Sequence, residues 1–287
     1  PAAVIAGESG SGDAAFMAEI RRDYGLDKPM PVQVGHYLAR LATLDLGVSY
    51  RNNQPVMDLI AQRLPATLIL TGSALLVALV LGTALGILSA RSRGGWLDVA
   101  VGTGAMFCYA MPVFWVGLVL VLVFSVGLGW FPAFGMVALI PKQGFAHVLD
   151  VAWHLVLPAL TLALLHMAVY VRLARASTLE VLDREFVRTA HAKGLTESQV
   201  LRKHVLRNAL LPTVTMAGLQ IGHLLGGAVV IETVFAWPGI GRLAFDALLQ
   251  RDYAVILGVF FLSSVLVVFA NLATDLVLRL VDPRIGR

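Results

Sequence analysis

Five long apolar runs alternate with polar stretches along this chain, at roughly residues 64–90, 97–130, 151–171, 211–234 and 255–281. Each can cross about 30 Å of hydrocarbon at about 1.5 Å per residue. The pattern predicts an all-α fold, a polytopic membrane helical bundle with five spans. The second run is long and contains Pro112, so a kink or change of direction is expected near Met111–Pro112. Residues 1–63 are mixed and polar. There Asp13 opens a helix that Gly25 ends, Pro29 and Pro31 break the chain, and a second helix covers residues 32–44. A third, residues 56–63, runs towards the first span. The organisation expected is a cap of short amphipathic helices at the membrane surface, residues 1–63, followed by a transmembrane domain, residues 64–287.

Composition agrees with this pattern. The 287 residues are 58% hydrophobic and 14% charged, against about 25% charged in a typical soluble domain. The single cysteine, Cys108, lies within an apolar run, which excludes an internal disulfide and leaves a packing role. A net charge of +4 without interleaved basic and aromatic residues fits loops beside a membrane rather than a nucleic-acid surface. The first residues, PAAVIAGESG, have neither a basic region nor an apolar core, so they do not read as a signal peptide.

Orientation follows from the basic residues. One side collects Arg91, Arg93, eight Lys and Arg within residues 172–207, and Arg279, Arg284 and Arg287. The other collects six within residues 1–63, with Lys142, Arg242 and Arg251. The first set is dense and in short loops, so the 172–211 loop and the C-terminus are expected in the cytoplasm. An outside N-terminus without a signal would be resolved by a preceding helix, giving six spans and both ends inside.

The 172–211 loop is the one long charged segment between apolar runs. Residues 183–195, DREFVRTAHAKGL, follow a helical pattern, with Phe186, Val187, Ala190 and Ala192 on a small, apolar side. Gly194 ends that helix, Thr196 caps the next, and Pro212 starts the following span. Two short helices meeting at a glycine make a compact knob, and Ala190 and Ala192 would let a partner approach closely. The plainer alternative is an ordinary positive-inside loop.

RTAHAKGL followed by RNALLPTV resembles the EAA loop of the inner-membrane permease subunits of ABC importers, closest to the dipeptide/oligopeptide/nickel branch. Arg188, Thr189 and Ala190 stand where the general pattern has Glu-Ala-Ala, followed by Gly194; the later Leu-Pro is Leu211–Pro212. GLDKPMPVQ (25–33), LDLGVS (44–49), PVMDLIAQRLPATL (55–68), ETVFAWPGIGRLAFDALLQRDYAVI (232–256) and DPRIG (282–286) look like further stretches of that branch, so the resemblance covers essentially the whole chain. It implies the permease fold of type I ABC importers. It also implies a second, similar permease, two P-loop ATPase subunits below and an extracytoplasmic substrate-binding protein above, in a bacterial inner membrane. The coupling contact would fall on Arg188, Thr189, Ala190, His191, Ala192, Lys193, Gly194, Leu195 and Thr196. ATP and magnesium would belong to the partner ATPases, since this chain has no G-x-x-x-x-G-K-[ST] loop; no catalytic residue, metal site or cofactor is expected in the chain itself. The substrates implied are di- or oligopeptides, with nickel chelates or glutathione as alternatives within the branch.

Gly218, Gly222 and Gly226 recur every four residues on one helical face, as do Gly82 and Gly86. Such faces permit close helix approach; the 218–226 face is expected at the pathway or the partner permease, unless it serves general packing. Glu232 falls at the outer end of its span, where the interface tolerates a carboxylate, and Asp275 can pair with Arg279 one turn on. His166 and His223 read as packing histidines. A secondary transporter working alone would need inverted repeats or a buried ion relay, and a membrane enzyme would need clustered His, Asp, Glu or Ser; neither pattern is visible in the sequence.

Overall fold

The computed structural model describes residue 18 and residues 27–49, 51–140 and 142–281, with the side chains of 221–227, 275 and 277–281 outside the described set. The helix expected between Asp13 and Gly25 lies, apart from Ala18, outside the described residues, as does the 282–286 motif. The second expected helix is α1, Met30–Ala42, which carries Pro31 in its first turn, where a missing N–H costs nothing. A two-residue hairpin follows. Strand β1, Val48–Ser49, runs antiparallel to β2, Gln54–Pro55, with Asn53 left-handed in the turn. The chain then enters α2, Val56–Arg91, an unbroken helix of 36 residues that absorbs both the expected 56–63 helix and the first apolar run.

The second run breaks where Pro112 predicts. Helix α3, Trp96–Ala110, stops at Met111, whose ψ of 141° is extended, since a residue before proline is driven from the helical region. Helix α4, Val113–Leu120, continues into a π-helical stretch, Val121–Gly127. The two limbs are bent by 108°, a sharper change of direction than a kink. The segment still advances along its neighbour, α5 (Phe145–Leu182). Asp98 meets Arg175, Ala105 shares a core with Ala168 and Val171, and Val121 shares one with Leu157. Residues 157 and 175 lie about 27 Å apart along a helix.

The remaining apolar runs are also helical: α5, with 38 residues, outruns its 151–171 core at both ends; α9, Leu211–Val234, and α11, Tyr253–Val281, follow. Among the described residues three helices are long and apolar enough to cross a membrane, Val56–Arg91, Phe145–Leu182 and Tyr253–Thr274, and the bent pair would make a fourth.

A stripe of small residues joins α2 to α5. Ala74, Ala78, Gly82, Gly86 and Ala90 repeat every four residues and all are buried. A Cβ at Gly86 would sit 2.5 Å from the carbonyl oxygen of Val171, and one at Gly82 would sit 2.8 Å from Cβ of Tyr170. Only glycine lets these backbones approach so closely. Without a hydrophobic driving force between helices in lipid, such packing is what holds them together.

One end of the bundle is closed around Glu232. This residue is fully buried rather than at the expected interface. Its Oε1 accepts from Thr67 Oγ1 of α2 at 2.6 Å. Its Oε2 accepts from the backbone N–H of Arg242 at 2.9 Å, and Gly241 N–H also donates to the carboxylate. Those amides open helix α10, Ile240–Gln250, whose first N–H, that of Ile240, donates to Thr67 Oγ1 at 2.8 Å. The orphan donors and positive end of a helix thus face a carboxylate, which offsets its removal from water. Any side chain at Gly239 would strike it, because a Cβ there falls 2.1 Å from the Glu232 carboxyl carbon. Trp237, also fully buried, donates its indole N–H to the Ala66 carbonyl at 2.8 Å.

Helix α10 packs Ile240 and Ala247 against Val56, Leu59 and Ile60 at the start of α2 and Val255 and Val259 at the start of α11. It ends at Arg251 in the left-handed region (φ 56°, ψ 34°). Asp252 then opens α11 by accepting from Val255 N–H at 3.3 Å, and its other oxygen accepts from Ser49 Oγ at 2.5 Å. The hairpin is thereby pinned to the α10–α11 corner.

Two substitutions test these joints. Gly86→Val should lower stability by about 1–3 kcal/mol, the range for overpacking, while Gly104→Val, where an added Cβ meets nothing within 4 Å, should leave it unchanged. Thermal unfolding midpoints of the purified protein in detergent compare the two. Glu232→Ala strands the Thr67 hydroxyl and two helix amides in a buried site; a loss of about 1–3 kcal/mol for each donor left unpaired is expected, with Glu232→Gln milder because it keeps an acceptor. Equal midpoints for Glu232→Ala and wild type would contradict the cage.

Candidate coupling site

Helix α5 continues past Val171 for about 16 Å before it ends at Leu182. A two-residue turn, Asp183–Arg184, leads into α6, Glu185–Ala192. Glu185 in its first turn suits the positive end of the helix. Val187 and Ala190 face inward and are buried with Val200, Val205 and Ala209; Val181, Leu182, Leu195 and Leu201 pack against them. Ala190, only 4% exposed, therefore fills the loop's own core, so the close approach expected of it is made to this chain rather than to a partner. Ala192 and Phe186 lie on the outside, which divides the single apolar side expected from sequence. The reason is the spacing: residues 187 and 190 are one turn apart and share the buried face, 192 falls on the opposite side, and 186, one turn before 190, lies at the edge of that face.

The tip is fixed by its own hydrogen bonds. Gly194 takes a positive φ of 81°, its N–H donates to His191 O at 2.9 Å, and Leu195 N–H donates to Ala190 O at 3.4 Å. That pair of bonds is a Schellman ending, and half-buried Leu195 supplies its hydrophobic contact. Thr196 opens α7, Glu197–Val200, through a capping box with Gln199, whose side-chain oxygen accepts from Thr196 N–H at 3.0 Å. A π-helical turn, Leu201–Val205, and α8, Leu206–Ala209, carry the chain to α9, with Pro212 in its first turn. Arg188, Thr189, His191, Ala192, Lys193, Gly194 and Thr196 are exposed along the outer edge. Of the residues expected from sequence, those seven share one exposed edge, while Ala190 is buried beneath it and half-buried Leu195 packs against the same core.

Between this knob and the bundle lies a cleft of about 470 Å³. Leu88, Arg91 and Leu97 line one wall; Leu182, His191 and Glu197 line the other. At the same end Asp98, buried, receives four donors. Arg175 Nε and Nη2 bind it in a fork at 2.6 and 2.7 Å, Ser89 Oγ donates at 2.5 Å and Gly94 N–H at 3.0 Å. Sequence reasoning passed over this group, although Asp98 is the only charged residue in the second apolar run. Arg175 was read only as one of the positive charges of the loop.

Gly218 packs within the chain: a Cβ there would fall 2.1 Å from Cγ2 of Thr274 on α11, and Thr274 Oγ1 donates to Gly218 O at 3.1 Å. The helix backbone passes through Gly222 and Gly226, but their surroundings lie outside the described residues. The same holds for the side chains of His223, Asp275 and Arg279.

Comparison with known proteins agrees with these features. Residues 82–287 match the model of the binding-protein-dependent transport system inner membrane component, and residues 1–71 match its N-terminal companion. The chain is 40% identical to a dipeptide transport system permease protein, DppB, of Alkalihalophilus pseudofirmus, covering 99% of this chain and 90% of that protein. It is 43% identical to the oligopeptide permease protein AppB of Bacillus subtilis, covering 91% and 82%. It is 42% identical to the glutathione permease protein GsiC of Pectobacterium atrosepticum, covering 99% and 88%. Its fold is similar to that of a chain in the inward-facing MetNI methionine ABC transporter, with a TM-score of 0.64 at 20% identity over 79% of this chain and 97% of that one. With a family model matching most of its length and relatives above 40% identity, the chain belongs to the inner membrane components of binding-protein-dependent transport systems.

Proposed function

We propose that this chain is a permease subunit of an ATP-driven importer of di- and oligopeptides, driven through the exposed edge of α6. The observation that carries the coupling reading is the fusion of α6 to α5: a two-residue turn and a shared apolar core leave the knob little freedom to move without its helix. The substrate class rests on the dipeptide and oligopeptide permeases that the chain resembles along nearly its full length.

The working arrangement has five crossings, made by α2, the bent α3–α4 pair, α5, α9 and α11, in a bacterial inner membrane. The α6 loop faces the cytoplasm. The hairpin, the 128–144 segment and α10 face outward, towards a substrate-binding protein. A second, similar permease completes the pathway, and two P-loop ATPases supply the chemistry, holding ATP and magnesium themselves. Their closure on ATP displaces α6, α5 tilts with it, and the helices packed on α5 shift the pathway between its two openings. The resemblance to a glutathione permease favours one further substrate, and glutathione is itself a small peptide.

Reconstitution with the partner permease, the ATPases and the binding protein tests this reading. ATP-dependent uptake of radiolabelled dialanine or glutathione into proteoliposomes is expected, and uptake by this chain alone without ATP would overturn it. Arg188→Glu reverses an exposed charge on the proposed contact edge. It should weaken association with the ATPases by about 0.5–1 kcal/mol, the scale of an exposed ion pair, with the loop's fold intact. Ala190→Leu should instead disturb the loop core at a cost of about 1–3 kcal/mol. Pull-down of the ATPases and circular dichroism of the same samples separate the two effects.

A further inference from the structure

We propose that Asp98, clamped by Arg175, Ser89 and Gly94, is a positioning residue that passes the movement of α5 to the α2–α3 corner. This rests on the permease reading above and adds a joint within it.

The argument is one of placement. Below this group the knob and the bundle are parted by the 470 Å³ cleft. Above it, α2 and α5 touch backbone to backbone at Gly86 and Gly82. Asp98 stands between, joining three elements through one carboxylate: Ser89 from α2, Gly94 from the turn, and Arg175 from α5. Arg175 follows Ala174, the residue whose Cβ would lie 2.8 Å from one added at Gly86, so the ion pair stands beside the tightest part of the seam. From Arg175 it is seven residues along the same helix to Leu182, where the knob begins.

The chemistry suits a joint under load. Apolar packing between helices in lipid holds them together but carries no directional bonds. A forked guanidinium–carboxylate pair has fixed directions and resists rotation as well as separation. Removing the arginine would leave the buried Asp98 carboxylate without its counter-charge. Displacement of α5 therefore drags the α2–α3 corner with it, and α3 carries that motion up to the break at Met111–Pro112, where the α4 limb begins. Without the clamp, α5 can tilt while α3 stays behind.

The test uses the complete importer in proteoliposomes and four variants, Asp98→Asn, Asp98→Glu, Arg175→Lys and Ser89→Ala. ATPase rate is measured without and with the binding protein, together with dialanine uptake. For Asp98→Asn, basal ATPase should stay close to wild type. Stimulation by the binding protein and uptake should both fall about tenfold, the scale of one charge-assisted hydrogen bond lost from the driven step. Arg175→Lys keeps the charge and loses the fork, and Ser89→Ala removes one donor, so both should fall less in the same ratio. Asp98→Glu should recover part of the loss. Wild-type stimulation in Asp98→Asn overturns the proposal, and so does an equal fall in basal and stimulated rates, which marks a purely structural role. If Asp98→Asn does not assemble, the same ratio in Arg175→Lys and Ser89→Ala decides. A wild-type complex that shows no stimulation and no uptake would count against the permease reading instead, and stimulation without dialanine uptake would count only against that substrate.

Discussion

One half of this protein depends on a single carboxylate kept out of water. Glu232 has no exposed surface, yet a buried charge is tolerated only when its oxygens are fully engaged. Thr67 on α2 and the first amides of α10 supply that engagement. The requirement propagates. It fixes where α10 starts, it forbids a side chain at Gly239, and it holds α9 against α2 at a distance set by one hydroxyl. Trp237, wedged beside it and bonded to the Ala66 carbonyl, seals the same corner. The Trp-Pro-Gly-Ile-Gly sequence reads as a set of parts for this single cage.

The half around Asp98 follows the same logic with different parts. Asp98 is satisfied by a guanidinium, a hydroxyl and a backbone amide from three places in the chain. Between the two carboxylates runs the α2–α5 seam, whose α2 side is the alanine and glycine stripe of residues 74–90. Directional bonds thus secure each end of α2, and close apolar packing fills its middle. In a molecule whose outer surface offers exposed Leu, Val and Phe along most helices, these few polar joints specify which faces meet.

Much of this was legible in the sequence. The apolar runs became helices, Pro112 broke the second, Gly194 ended α6, and Thr196 capped α7, because each of those outcomes is decided by local chemistry. What stayed hidden depends on residues far apart in the chain. Glu232 read as an interfacial acid because Thr67, 165 residues earlier, is silent in sequence. Arg175 read as one more positive charge because its partner lies 77 residues away. Ala190 read as a contact residue because the helices that bury it follow it and reverse direction at the glycine. The bend of 108° exceeds what proline alone dictates, and the packing of α4 on α5 and Phe235 sets it.

The Schellman ending and capping box around Gly194 have a thermodynamic consequence for assembly. The turns at Gly194 and Thr196 are closed by bonds within the chain itself, so the knob's shape does not depend on a partner. Docking then freezes few backbone torsions, and more of the contact energy remains as affinity. A loop that folded only on its partner would couple binding to ordering and respond sluggishly. In the coupling role proposed above, this loop would meet an ATPase as a finished part, which suits a joint that must transmit force at every turnover rather than form anew.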